Sequence, residues 1–269
     1  MPIGFYIAIG ALAVIFIAYL FLIAPRMIKR KFKLPEGGYA HRGLWNEERP
    51  ENSMSAFAAA VDAGYGIETD VRLTKDGVPV LFHDDTLKRV CGDDRRVIDL
   101  TYEELGSMRL SGSDEGIPTL AQLIELAGNK IPLLIELKGE DLNTDLCHVI
   151  APMLEGLGDM VCVESFNPVL LNKMKKLMPK MPRGQLVTAL VAQHHPGNPL
   201  KNGALSAMLL NFLSRPDFIA YNKDFPHGAG IFFCTRIFRA GRCTWTVKDK
   251  EEQEKFLKKG ITPIFEHKD

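Results

Sequence analysis

The stretch that decides the fold runs from residue 40 to residue 84. It contains Ala40-His41-Arg42-Gly43, Arg49-Pro50-Glu51-Asn52-Ser53, Ile67-Glu68-Thr69-Asp70-Val71, Thr74-Lys75-Asp76-Gly77 and Phe82-His83-Asp84. His41, Asp70 and His83 each close a short apolar run. Glu68 and Asp70 are two apart, so on a strand their side chains share one face. The run Val78 to His83 follows Asp70 across Lys75-Asp76-Gly77. That gap is too short for a helical crossover, so the run reads as a hairpin-like extension. Further along, apolar runs end near Lys138, Phe166, Leu190, Lys223, Val247 and Glu266. With those ending at His41 and Asp70, eight strands alternate with helical segments over about 230 residues. That is the size and rhythm of a (β/α)8 TIM barrel.

Helical signals fill the gaps. Ser53 can cap a helix that carries Phe57, Ala60 and Val61 on one face and stops at Gly64. Pro118-Thr119 precede Leu120, Leu123, Ile124 and Leu126 at helical spacing, with a stop at Gly128. Pro168 opens another helix with Leu171, Met174 and Leu177 on one face, and Lys248 to Lys259 is a charged final helix before Gly260. Residues 85 to 117 are irregular and polar, with Gly92, Gly106, Gly112 and Gly116. Residues 193 to 216 are helical only in part.

Residues Ile3 to Ala24 are almost wholly apolar and carry no charge. About 20 such residues cross the roughly 30 Å of bilayer hydrocarbon as a helix. The plain alternative is a buried helix of the globular domain, against which stands a run that is apolar all round and shows no polar face. A cleavable signal peptide fits less well, because no cation precedes the run and no small-x-small site follows it. Arg26, Lys29, Arg30, Lys31 and Lys33 lie just beyond it, and the first 35 residues hold no acid. The positive-inside rule then predicts a single-pass protein of the cell membrane with a cytoplasmic catalytic domain. The expected organisation is a membrane helix over 1–25, a basic neck and linker over 26–37, and the barrel over 38–269. The chain has a net charge of zero, so the part beyond the neck is mildly acidic and offers no nucleic-acid surface. Five cysteines without a CxxC pair signal neither a disulfide frame nor a zinc ribbon. Nothing in the sequence sets an oligomeric state.

Barrel enzymes carry their site at the C-terminal ends of the strands. Glu136 and Lys138 in Leu134-Ile135-Glu136-Leu137-Lys138 share a face, as Glu68 and Asp70 do. Inward carboxylates on neighbouring strands repel unless a charge cancels them, and a hard divalent cation with oxygen ligands does so. The plain alternative pairs Glu68 and Asp70 with Arg72 or Lys138. Two strand-end histidines beside the acids favour chemistry over structure. Imidazole titrates near neutral pH and suits proton transfer. Arg42 can grip a phosphate through its planar fork, and Lys138 can add a point charge. His148, His194, His195, His227 and His267 lie in polar or helical contexts and read as surface residues.

The blocks His41-Arg42-Gly43, Pro50-Glu51-Asn52-Ser53, Glu68-x-Asp70-Val71, Thr74-Lys75-Asp76-Gly77 and His83-Asp84 resemble the opening motifs of the glycerophosphodiester phosphodiesterase family. Ile117-Pro118-Thr119-Leu120, Ile135-Glu136-Leu137-Lys138, Ser165-Phe166 and Trp245-Thr246-Val247 are similar to its later blocks, in order. The resemblance covers about residues 38 to 260. It implies a metal-dependent phosphoric diester hydrolase acting in lipid metabolism, with a small segment inserted over the site at 85–117. It further implies His41 and His83 as the acid–base pair, and Glu68, Asp70 and Glu136 as ligands of one Ca²⁺ or Mg²⁺. Arg42 and Lys138 would contact phosphate, Glu51 would orient the Arg42 loop, and Trp245 would wall the glycerol carbons. The expected products are sn-glycerol 3-phosphate and an alcohol. A lysophospholipase D or phospholipase C-like phosphodiesterase acting on membrane lipid is the alternative on the same scaffold. A barrel used only for binding is the alternative from another class. The chain departs from the family at its end, where Thr262-Pro263-Ile264-Phe265-Glu266-His267 replaces a Thr-Asp-x-Pro-like segment, and over 193–242, which carries no family block.

Overall fold

The computed structural model describes residues 3–27, 34–139, 142–194 and 197–267. The neck cations Lys29, Arg30, Lys31 and Lys33, together with His195, lie outside the described residues. The strands are β1 Tyr39–His41, β2 Gly66–Leu73, β3 Pro79–Leu81, β4 Leu133–Leu137 and β5 Val161–Ser165. They continue as β6 Arg183–Val187, β7 Phe218–Asn222, β8 Gly241–Val247 and β9 Thr262–Phe265. All but β3 pair in parallel, and β1 pairs with both β2 and β9, which closes the barrel. β3 runs antiparallel to the end of β2, with Val71 opposite Leu81. It is the expected hairpin-like extension.

The period of two along the strands sorts the core into layers. Tyr39, Leu134, Cys162, Leu186, Ala220, Cys243 and Ile264 pack together inside the barrel. Leu133, Ile135, Leu137, Val161 and Val163 belong to a second cluster with the surrounding helices, through Phe57, Leu123, Ile150 and Leu171. Closed-barrel strands are covered on both sides, so their runs are apolar almost throughout, and a polar inward residue stands out.

The helices start and stop where local chemistry directs. Ser53 caps Met54–Asp62 by accepting from the Ala56 amide. Thr119 and Gln122 form a reciprocal capping box on Leu120–Ala127, which ends at Gly128 in a left-handed conformation. Asn167 caps Pro168–Leu177, and Asp249 caps Lys250–Lys258. The helix Asp145–Leu154 fills the remaining gap between β4 and β5. β6 stops at Val187, three residues before the expected Leu190. The Leu190 amide bonds to the Ser206 hydroxyl at 3.0 Å and so is not part of a strand ladder. Short helices at Pro199–Ser206 and Asn211–Ser214 follow.

The segment between β3 and the helix at 120 builds a core of its own. Phe82, Leu87, Val90, Val97, Leu100, Leu105 and Leu110 are buried together beside Val80. The five cysteines are free thiols.

The N-terminal helix Ile3–Ile23 is long and apolar enough to cross a membrane. Its first five turns are largely exposed, whereas Ile23 is buried against Val187, Ile219, Tyr221 and Ile231. Asn211 Nδ2 donates to the Ile23 carbonyl at 3.0 Å, and Arg215 Nη1 donates to those of Phe21 and Ala24 at 3.0 and 2.9 Å. A helix end leaves its last carbonyls without intrahelical partners, and here barrel side chains supply them. Arg26 then pairs with Asp217 at 2.8 Å, and its amide donates to the Pro216 carbonyl.

Candidate active site

The mouth of the barrel gathers every residue expected to act. Glu68 and Asp70 project from β2, and Glu136 from β4, with Asp70 and Glu136 in register. All three are buried, and their carboxylate oxygens lie within 4.8 Å of one another. His41 ends β1, and His83 follows β3. A cavity of about 120 Å³ is lined by both histidines, Arg42, Glu68, Glu136 and Lys138. Trp245 closes one wall, its ring meeting Phe166 edge to face at 5.7 Å. The Trp245 indole donates to the Ala220 carbonyl at 3.2 Å, which fixes the ring.

The loop after β1 is tied down by polar contacts. Arg42 takes a left-handed conformation, and its amide donates to the Glu68 carbonyl at 2.8 Å. Gly43 follows at φ +83°, where a Cβ would lie 2.8 Å from the Ala56 backbone, so only glycine lets the loop close on the helix Met54–Asp62. Asn52 is buried under this loop. Its Nδ2 donates to Asp70 Oδ2 at 3.0 Å, and its Oδ1 accepts from the Thr69 hydroxyl at 2.7 Å. Glu51 Oε1 accepts from Arg42 Nη1 at 2.9 Å. Arg89, from the inserted segment, also donates to Glu51, at 2.6 Å, and to Asp84 Oδ2 at 2.6 Å. Asp84 in turn holds His83. A line of alternating charge thus runs from Arg42 to His83.

Each histidine presents Nδ1 to a carboxylate. His41 Nδ1 lies 2.5 Å from Glu266 Oε1, and His83 Nδ1 lies 2.6 Å from Asp84 Oδ1. The His41 bond and the Lys248 ammonium outweigh burial and hold Glu266 down at about 2. The Arg89 and His83 bonds likewise hold Asp84 at about 2. Both acids are therefore acceptors and Nδ1 carries a proton, which leaves Nε2 for proton exchange; His41 Nε2 lies 3.7 Å from Glu68 Oε2. Burial lowers the His83 imidazole to about 4, with Asp70 opposing it. Burial also lowers His41, with Glu266 opposing it. Arg72 steadies the His83 backbone through two bonds to its carbonyl, at 3.0 and 2.9 Å.

The carboxylates fit a divalent cation. Burial and mutual repulsion push Glu68 well above the usual carboxylate range, and burial raises Glu136 against the Lys138 charge. Asp70 stays well below that range despite its burial, because Lys138 and Arg42 lie beside it. Lys138 Nζ is 3.0 Å from Asp70 and 2.8 Å from Glu136. With Arg42, whose Nε is 3.3 Å from Asp70, it supplies the local counter-charge, and two cations do not balance three buried carboxylates. Three hard oxygen donors at this separation could hold one Mg²⁺ or Ca²⁺.

Five participants are assigned no role by the sequence analysis, one of them Arg89 of the inserted segment. Asn52 and Asp84 stand inside the quoted motifs, which by themselves assign them no role. Glu164 lines the cavity from β5, buried, with no hydrogen-bond partner for Oε2 among the described residues. It precedes Phe166 by two, the same inward spacing as Glu136 before Lys138, so the signal was present. Glu266 is 225 positions from His41, and no local pattern connects them.

A closed eight-stranded barrel with two carboxylate-backed histidines, an acidic triad and two partly buried cations at the strand ends has the groups that hydrolysis of a phosphoric diester requires. The profile of the Glycerophosphoryl diester phosphodiesterase family matches residues 41–268. The chain belongs to that family. It is 31% identical over 239 residues to a glycerophosphodiester phosphodiesterase of Caldanaerobacter subterraneus, covering 84% of this chain and 91% of the relative. It is 32% identical over 168 residues to glycerophosphodiester phosphodiesterase 1 of Mus musculus, covering 58% and 48%. Among solved structures, a phosphodiesterase of Oleispira antarctica in complex with the product sn-glycerol-3-phosphate superposes with a TM-score of 0.67 at 25% identity, over 85% of this chain and 91% of that one.

Proposed function

We propose that this chain hydrolyses glycerophosphodiesters to sn-glycerol 3-phosphate and an alcohol in glycerophospholipid metabolism, using His41 and His83 as the proton-transfer pair and one divalent cation on Glu68, Asp70 and Glu136. The observation that carries this reading is the pair of histidines, each backed by a carboxylate, facing one cavity with the acidic triad. When bound, Ca²⁺ or Mg²⁺ would polarise a phosphate oxygen and stabilise the charge that builds on it.

The protein groups supply the rest. Arg42 and Lys138 meet the phosphate, and their charge is complementary to the developing anion. Trp245 and Phe166 pack against the glycerol carbons. One imidazole takes the proton of the attacking oxygen at Nε2, and the other gives a proton to the departing alkoxide. The attacking oxygen is either water or the substrate's own 2-hydroxyl. The second route leaves a cyclic phosphate that water then opens.

The helix Ile3–Ile23 would anchor the enzyme as a single-pass protein of the cell membrane. The bonds from Asn211 and Arg215 to its last carbonyls support a helix that is retained. The cations of residues 26–33 support a cytoplasmic barrel. This anchor also favours a second reading, a lysophospholipase D or phospholipase C-like activity on membrane lipid.

One experiment tests both readings. The full chain in detergent is given glycerophosphocholine or lysophosphatidylcholine, with Ca²⁺, with Mg²⁺ and with chelator, beside His41→Ala. Metal-dependent release of sn-glycerol 3-phosphate from the soluble diester, lost in the variant, is expected. Activity on the lysolipid alone would favour the second reading.

A further inference from the structure

We propose that the barrel itself touches the bilayer, through the exposed face of the helical segment Ala229–Phe232 and its π-helical continuation Phe233–Ile237. The occupant of this face is the surface of an anionic phospholipid bilayer. The proposal deepens the membrane reading and rests on Ile3–Ile23 crossing the membrane.

Length carries the first step. The helix has 21 residues. At 1.5 Å per residue it is about 31 Å long, against roughly 30 Å of hydrocarbon. A spanning helix of this length places its last turns in the hydrocarbon or at its edge. The barrel already packs against one side of those last turns. Phe16 meets Phe233 edge to face at 5.7 Å, Tyr19 meets the same ring at 6.1 Å, and Phe21 stacks with Phe212 at 6.3 Å. Phe16 precedes the buried end of the helix by seven residues, about 10 Å along the axis. The barrel surface that reaches Phe16 is therefore drawn to the edge of the hydrocarbon.

Side-chain chemistry carries the second step. Phe232 and Ile237 are 54% and 57% exposed on that same segment, and Phe232 contacts Phe233 edge to face. Both are large apolar side chains placed beside the anchor. Arg236 and Arg239 are exposed next to them, and Arg215 lies over the Phe21 ring at 4.7 Å. Residues 228 to 247 contain no acid. Aromatic and aliphatic groups edged by cations, on a stretch of chain without acids, suit the boundary between acyl chains and headgroups.

The test uses the full chain reconstituted into vesicles of phosphatidylcholine and phosphatidylglycerol brominated on their acyl chains. Phe232→Trp and, as control, Ile98→Trp each add one indole. Ile98 is also exposed but belongs to the segment inserted beside β2. Emission is compared with that of the parent protein in unbrominated vesicles. The Phe232→Trp signal should lose most of its added emission in brominated lipid, and the Ile98→Trp signal should keep it. If the protein floats with the vesicles but the Phe232→Trp signal is unquenched, the proposal is overturned. The same holds if both positions are quenched alike, or if the Phe232→Trp signal responds only to the protein-to-lipid ratio, which would mean a second copy covers the face. If the protein does not float, the membrane reading itself has failed.

Discussion

His41 and Glu266 join the first strand of the barrel to the segment after its last, with Nδ1 and Oε1 2.5 Å apart. Lys248 also bonds to Glu266, on its other oxygen. The carboxylate therefore fixes both the tautomer and the rotation of the imidazole. Partners of this kind typically contribute about 10–100-fold where they support a metal ligand. For Glu266→Gln we expect a similar fall in kcat with KM little changed, because no substrate contact is removed. An unchanged kcat in a folded variant would show that His41 needs no such support.

The same pair sets a pH dependence of stability. The Glu266 carboxyl is held at about 2 in the folded chain, below its usual value of about 4.3. A depressed acid contributes stability above its unfolded value and loses it as pH falls towards the folded one. Wild type should therefore unfold more readily between about pH 4 and pH 2, and Glu266→Gln should flatten that part of the curve. Thermal midpoints across this range, compared between the two proteins, check it. Parallel curves would exclude the linkage.

Either imidazole should be costly to remove. General acid–base catalysis is worth about 10²–10⁴ in rate, so His41→Ala and His83→Ala should each lose activity on that scale. Losses below tenfold in both would remove the two histidines from the chemistry.

The acidic triad predicts a response to metal that can be read without turnover. A cation at about 100 times its Kd should stabilise the folded state by about 2.7 kcal/mol. Asp70→Asn and Glu136→Gln should blunt that gain, and chelator should abolish it in the unaltered chain along with activity. Full activity in excess chelator would sink the metal assignment.

Much of this site is readable from local pattern. Glu68 with Asp70, and Glu136 with Lys138, are two apart on strands whose other residues are apolar, so their inward direction follows from the pleat. The helix caps at Ser53, Thr119 and Asn167 are equally local. What escaped depends on closure in three dimensions. Glu266 reaches His41 only because β9 pairs with β1. Arg89 bridges Glu51 and Asp84 only because the inserted segment folds over the site on its own core. β6 ends at Val187 because a side chain 16 positions beyond Leu190 captures that residue's amide. Periodicity carries no record of such meetings.

The clasp on the N-terminal helix has a mechanical consequence. Asn211, Arg215 and the Arg26–Asp217 pair fasten the chain to the barrel before residues 28–33, not after them. The clasp is therefore the joint on which the domain hangs. Helix and barrel must turn together, like a sign welded to its post. If Ile3–Ile23 crosses the membrane as proposed, the catalytic mouth keeps one height and one tilt above it, and substrate must come to it by diffusion while the domain has no freedom to swing and search.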